Sequence, residues 1–284
     1  MEWQQQCPGR GGAPSPALRA HWTAQQPLVC TPERSAAAMA DALIVAEAAA
    51  ILRRRPDAEA AGVRVLSESP LVYVVDDFLT AGECEHIVGL AEPQMARAVV
   101  TGAKGNTVTS DRTSRVAWLP DPTAETAVED EVDEVLVEVE ERVCALLGCR
   151  PECTEPFQVI HYRGGEEYSD HVDGYDSTSE HGLANCARGG NRLVTTLMYL
   201  NDVDEGSGGG ETNFSELEIS VQPRQGRILV FVNCTPDSPA KVDPRTLHAG
   251  RPVLEGEKWA ANKWLRMFPL RSEGEYDYVR SVSQ

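Results

Sequence analysis

A mainly β chain with supporting helices, folded as a jelly roll or barrel, is what this sequence predicts. Two patterns carry the prediction. Eight short strand-type runs, at 157–162, 168–173, 192–200, 211–214, 217–221, 227–232, 245–249 and 258–267, follow one another across Gly-rich turns. Short strands at that density belong to antiparallel sandwiches and barrels. Ahead of them lie segments of helical periodicity, and no internal repeat suggests a solenoid or propeller.

In chain order, residues 1–35 hold five prolines and little periodicity and read as disordered. Ala36 to Arg55 is rich in helix formers and stops before Pro56; a solvated helix is expected there, so residues 1–60 are read as a leader. Leu71 to Val75 is an apolar run of strand type. Thr80 and Glu83 have capping-box spacing, followed by Cys84, Ile87, Val88 and Ala91 at helical spacing until Pro93. Ala124 to Leu147 is an amphipathic helix with Val128, Val132, Val135, Leu136, Val139 and Val143 in one stripe, and Gly148 stands where a C-cap belongs. Its acidic residues, among them Asp133, Glu138, Glu140 and Glu141, spread along the helix and predict a solvated face. The domain is expected over 61–270, with its β core at about 154–269, and 271–284 form a tail.

With 26 Lys plus Arg against 44 Asp plus Glu, a net charge of −18 excludes a phosphate-backbone binder, and no nucleic-acid partner is expected. No run of about 18 apolar residues occurs, so no membrane span is expected. The first 30 residues lack a signal-type apolar core, which points to a soluble, cytoplasmic protein. Eight cysteines are too sparse for a disulfide scaffold in a chain of 284 residues, and Cys149-x3-Cys153 has no second pair to complete a zinc site. Mostly free thiols are expected.

The residues that carry chemistry lie in the strand-rich half. His171-Val-Asp173 places an imidazole and a carboxylate at i and i+2, on one face if the segment is a strand. His248 ends another strand-type run. Two histidines and a carboxylate on one face of a metal leave its other positions open, which suits non-haem Fe(II), although zinc hydrolases use similar sets. Lys258 opens the last run, where Lys258, Ala260, Asn262, Trp264, Arg266 and Phe268 share one face. An inward lysine is costly unless it meets an anion, and the carboxylate of an oxo-acid would meet it. Lys263, on the opposite face, is expected to be exposed.

Taken together, His171-x-Asp173, His248 and Lys258 resemble the iron and keto-acid residues of the prolyl 4-hydroxylase alpha-subunit-like dioxygenases. The likeness extends through Asp77-Phe-Leu-Thr80, Arg112-Thr-Ser114, His161-Tyr162, Tyr168-Ser-Asp-His171, Gly190-Asn-Arg192, Leu197 to Asp202, Gly210-Glu-Thr212, Leu247-His-Ala-Gly250 and Gly256 to Trp264, covering about residues 67–268. The resemblance implies a double-stranded β-helix, the cupin-like jelly roll. It implies Fe(II) on His171, Asp173 and His248, and 2-oxoglutarate chelating that iron while its distal carboxylate meets Lys258, Tyr162 and Thr212. It implies dioxygen and ascorbate as further reactants, and a proline-containing peptide or protein substrate beside Tyr168, Arg192 and Trp264, hydroxylated to 4-hydroxyproline with release of succinate and CO2. It also points to the secretory pathway. A hydroxylase of a free amino acid or small molecule is the alternative, and a catalytically silent binding module a third reading that four intact residues disfavour. The chain departs from the family pattern at Arg266, commonly His in plant and algal members, and at Arg251, often Cys. Arg266 is expected near the substrate entrance, favouring acidic residues beside the target proline. The polar stretch 174–191 is expected to be a substrate lid in which His181 and Cys186 are loop residues, not ligands.

Overall fold

The computed structural model describes residues 47–270 except 99, 103–104, 108–111, 121–131, 188 and 207, with backbone only at 100–102 and 105–107. Predictions for 1–46, for Val128 and for the tail at 271–284 lie outside the described residues.

Alternating side chains on strands that are apolar on both faces require a cover on each side, and the sheet has both. Eight strands form the larger antiparallel sheet, in the order β1 (Val63–Glu68), β2 (Leu71–Val75), β12 (Ile228–Val232), β9 (Arg192–Tyr199), β16 (Glu257–Arg266), β7 (Gln158–Arg163), β6 (Arg115–Trp118) and β3 (Ala96–Arg97). Four short strands form the second sheet, in the order β11 (Ile219–Val221), β10 (Thr212–Phe214), β15 (His248–Gly250) and β8 (Tyr168–His171). Two small hairpins, β4 (Val100–Gly102) with β5 (Gly105–Thr107) and β13 (Cys234–Thr235) with β14 (Ser238–Val242), also form among the described residues. The result is an open two-sheet jelly roll, and the predicted jelly-roll class stands without barrel closure.

Tyr73, Val75, Ile228, Val230, Met198, Ala261 and Leu265 pack on the helical layer with Ile87 and Val139. Their strand neighbours Val72, Val74, Leu229, Phe231, Tyr199 and Ala260 pack against Phe214 and Val221 of the small sheet. The helical layer consists of α1 (Ala81–Ala91), closed by the predicted Thr80–Glu83 capping box, and α2 (Glu134–Leu147). A third helix, α3 (Glu180–Cys186), lies within the 174–191 stretch. Among the described residues no helix is long and apolar enough to cross a membrane.

Several expectations are corrected. The second helix starts at Glu134, because Asp133 caps it by accepting from the Leu136 N–H at 3.0 Å. Glu140 is fully buried: four residues after Leu136 and three before Val143, it falls on the apolar stripe. It meets Lys263 at 2.7 Å, both side chains shielded completely from solvent. Lys263 is therefore not exposed; α2 covers the sheet face it projects from. The expected strands at 217–221 and 245–249 begin with 3-10 turns, Ser215–Leu217 and Pro244–Thr246, and β8 ends at His171, so Asp173 lies just past it. Residues 47–53 are helical, and Ala48 and Leu52 are buried in the main core, so this part of the leader is docked rather than solvated. The six described cysteines form no disulfide with one another.

Candidate active site

Between the two sheets lies a cavity of about 490 Å³, and all nine residues singled out for chemistry line it: Tyr162, Tyr168, His171, Asp173, Arg192, Thr212, His248, Lys258 and Trp264. β8 and β15 pair antiparallel with His171 opposite His248. Each ring is fixed by the same device: its Nδ1 faces the carbonyl two residues earlier, Ser169 at 2.8 Å and Thr246 at 2.9 Å. If those Nδ1 atoms carry the proton, both Nε2 lone pairs are free. The Nε2 atoms stand 3.6 Å and 3.8 Å from the two carboxylate oxygens of Asp173, and the three ligand atoms lie within 4.8 Å of one another. These spacings are too wide for hydrogen bonds and leave room for an ion at the centre. Two neutral imidazoles and one carboxylate with a face left open suit a first-row divalent metal, so the residues fit Fe(II).

The surroundings hold this set rigid. Asp173 Oδ2 accepts from Thr195 Oγ1 at 2.7 Å and from the Trp264 indole N–H at 3.0 Å, and Asn233 donates to Thr195 Oγ1. Tyr168 stacks on His171 at 3.6 Å, and Phe231 meets His248 edge-on. Burial pushes the Asp173 carboxyl up, but the charges of His248, His171 and Arg192 outweigh it and hold the group well below the usual range. Burial and then the neighbouring His248 push His171 down. At neutral pH Asp173 is therefore a carboxylate and His171 a neutral imidazole, the forms that bind metal.

Lys258 supplies the opposite charge. It is buried, donates from Nζ to the Gly210 carbonyl at 2.6 Å, and lies over the rings of Tyr162 and Tyr199. Among the described residues no carboxylate comes within ion-pair distance of it. Burial pushes its pKa down to about 7 against the pull of Glu211. An ammonium enclosed without a counter-ion favours an incoming anion. Thr212 is nearby in the same wall, accepting from Tyr199 Oη at 2.8 Å.

The third group is arranged around Trp264. The Arg192 guanidinium stacks on its indole at 3.7 Å and makes a two-pronged pair with Glu155, at 2.7 and 2.8 Å. Sequence reasoning missed four residues here. Glu155 is buried; Arg192 and Arg266 hold its carboxyl below the usual range although burial acts the other way. Arg112 donates to Gln158 at 3.0 Å and covers the Tyr168 ring. Trp118, 45% exposed, stands 6.0 Å from Trp264 and keeps the cavity rim apolar. A usable signal existed for Gln158: with Ile160 and Tyr162 it occupies alternate positions of one strand, hence one face. Arg266 is not at the entrance. It is 4% exposed and engages Glu155 at 3.2 Å and the Asn185 carbonyl at 2.7 Å, which removes the basis for a direct preference for acidic peptides. His181 reaches the cavity lining, where its partner is Asn185, and it is outside the group of three ligand atoms.

This geometry can be set beside known proteins. A family model described as the 2OG-Fe(II) oxygenase superfamily matches residues 157–266. The chain is 35% identical over 226 residues to probable prolyl 4-hydroxylase 8 of Arabidopsis thaliana, covering 72% of this chain and 71% of that protein. It is 34% identical over 228 residues to prolyl 4-hydroxylase 5 of the same plant, covering 74% and 72%. Among solved structures, the viral collagen prolyl hydroxylase of Paramecium Bursaria Chlorella virus-1 in its 2OG complex is similar at a TM-score of 0.50 and 28% identity, covering 69% of this chain and 95% of that one. The jelly roll, the His-Asp-His face with its enclosed lysine, and relatives matched over more than two thirds of their length lead to one conclusion: this chain belongs to the prolyl 4-hydroxylase family of Fe(II)- and 2-oxoglutarate-dependent dioxygenases.

Proposed function

We propose that this enzyme hydroxylates prolyl residues in a peptide or protein, with Fe(II) held by His171, Asp173 and His248 and the distal carboxylate of 2-oxoglutarate held by Lys258, Tyr162 and Thr212. The observation that carries the reading is one cavity containing both a three-ligand cluster with an open face and a buried lysine that, among the described residues, has no carboxylate partner. When bound, Fe(II) supplies the coupling of dioxygen reduction to oxidative decarboxylation of the keto acid, giving succinate, CO2 and hydroxylated substrate.

The chain's own groups do the rest. The Ser169 and Thr246 carbonyls orient the two imidazoles. Thr195 and Trp264 hold Asp173 through one oxygen, which fixes the carboxylate and leaves the other for metal. Lys258 is satisfied when the keto acid enters, and Tyr162 supplies a hydroxyl beside it. Tyr168, Arg192 and Trp264 form the wall on which the prolyl ring is placed, with Arg192 fixed against the indole by Glu155. Ascorbate serves to reduce iron oxidised in turnovers that miss the substrate.

The test is 2-oxoglutarate turnover by the Fe(II)-loaded protein against a panel of proline-containing peptides and free proline. Turnover stimulated by peptides, with a mass gain of one oxygen on proline, is the expected result. Stimulation by free proline alone would replace the peptide reading with that of a small-molecule hydroxylase. Absence of decarboxylation under every condition would remove both.

A further inference from the structure

We propose that Arg266 is a positioning residue that clamps the 174–191 segment against the cavity wall and so shapes the substrate side of the site. The inference rests on the peptide reading above. It starts from the course of the segment. Beyond the end of β8 at His171 the chain passes Asp173, turns through Tyr175, forms α3 and returns to the sheet at Arg192. Between those ends Asp176, Ser179, His181 and Gly182 form part of the cavity lining. The segment thus provides one wall of the cavity, yet α3 has only seven residues, too few to be stable without tertiary anchors.

Arg266 reaches both ends of that wall. Its guanidinium lies over the Tyr175 ring at 5.2 Å, and one arm donates to the carbonyl of Asn185 in α3 at 2.7 Å. Another arm meets Glu155 Oε1 at 3.2 Å, the oxygen that also receives Arg192 Nε. Arg192 lies over the same Tyr175 ring at 5.2 Å and on Trp264, whose indole N–H bonds Asp173. Contacts therefore run without a gap from α3 through Arg266, Glu155, Arg192 and Trp264 to the carboxylate of the metal cluster. The rear of the segment is sealed close to the same side chain: a Cβ at Gly189 would stand 3.3 Å from Arg266 Nε and 2.8 Å from Leu270. With its arms engaged by protein groups and only 4% exposure, Arg266 acts on substrate through the wall it holds. A planar fork serving two acceptors in different directions is something a lysine cannot reproduce.

The experiment compares wild type, Arg266→Gln and Arg266→Lys by two readouts. Hydrogen exchange is followed in the full chain for amides of 180–187, with 228–232 in β12 as internal reference. Steady-state kinetics give KM for a proline peptide and for 2-oxoglutarate. Arg266→Gln should speed exchange at 180–187 about tenfold or more while 228–232 stays unchanged, and should raise peptide KM about five- to twentyfold with kcat and 2-oxoglutarate KM within twofold. Arg266→Lys keeps the charge beside Glu155 but lacks the second arm, so it should loosen 180–187 in the same way; it carries the test if Arg266→Gln does not fold. Unaltered exchange at 180–187, or equal acceleration in both segments, overturns the proposal. The exchange arm needs no substrate, so a failed peptide reading would leave it decisive.

Discussion

Lys258 makes the pH dependence of 2-oxoglutarate binding a sharp test. Burial lowers its pKa in the free enzyme to about 7, whereas the dicarboxylate needs the ammonium form. Binding at Lys258, as proposed, therefore stabilises the protonated lysine and raises its pKa in the complex. Affinity is full below about pH 7 and falls as pH rises above the free-enzyme value, until the value in the complex is passed. With a free-enzyme pKa near 7, only about one lysine in thirty is charged at pH 8.5, so apparent affinity should fall roughly thirtyfold, or about 2 kcal/mol. The assay is KM for 2-oxoglutarate from pH 6 to 8.5 at saturating Fe(II) and peptide, for wild type, Lys258→Arg and Lys258→Ala. A guanidinium stays charged throughout, so the Arg variant should show little slope. The Ala variant should be about ten- to hundredfold weaker at pH 6.5, for one lost charge-assisted contact, and should also be flat. A flat wild-type profile, or the same slope in Lys258→Ala, would refute the assignment of this lysine.

Other expectations follow from the same geometry. Asp173→Ala or His248→Ala should abolish 2-oxoglutarate decarboxylation and iron retention measured by elemental analysis, while His181→Ala keeps the iron. Thr195→Val, which removes one hydrogen bond to Asp173, should weaken Fe(II) binding by about tenfold to a hundredfold in a metal titration. Glu140→Ala should destabilise the fold by about 3–5 kcal/mol in urea denaturation, because it strands the Lys263 ammonium, and Glu140→Leu with Lys263→Met should recover much of that loss. Leu52→Ala should cost about 2–5 kcal/mol on the same assay, and a chain starting at residue 61 should melt lower than the full chain; equal melting would show that the docked 47–53 helix contributes nothing.

What could be read in the sequence was what chemistry or local geometry dictates within a few residues. The Thr80–Glu83 box and the Gly148 cap are local, and both appear as expected. His171, Asp173, His248 and Lys258 were picked out together by residue type, order and family resemblance, and all four line one cavity. The extent of strands around them was less so: Asp173 falls beyond β8, and 3-10 turns replace two strand starts. Docking of 47–53 was hidden because its apolar residues, Ala48 and Leu52, match a surface that only the assembled helical layer creates.

The two lysines of β16 show where sequence reasoning reaches its limit. Lys258 and Lys263 lie on opposite faces of one strand, and the expectation of one inward and one outward lysine followed from alternation alone. It failed because β16 is a central strand covered on both sides, so both ammonium groups are buried. Burial therefore does not tell them apart. Their partners do. Lys263 is matched at 2.7 Å by Glu140, a carboxylate brought from a helix distant in sequence, and its charge is spent inside the fold. Lys258 has a carbonyl and two aromatic rings but, among the described residues, no carboxylate, so its charge remains available to a ligand. Desolvation without neutralisation is an unfavourable arrangement for a structural lysine and a useful one for an anion site. An acid placed beside Lys258, for example Ala260→Glu on the same face of β16, would convert it into the structural kind. Such a variant should keep its iron ligands and lose 2-oxoglutarate binding; unchanged 2-oxoglutarate affinity would show that the open charge of Lys258 is not what receives the keto acid.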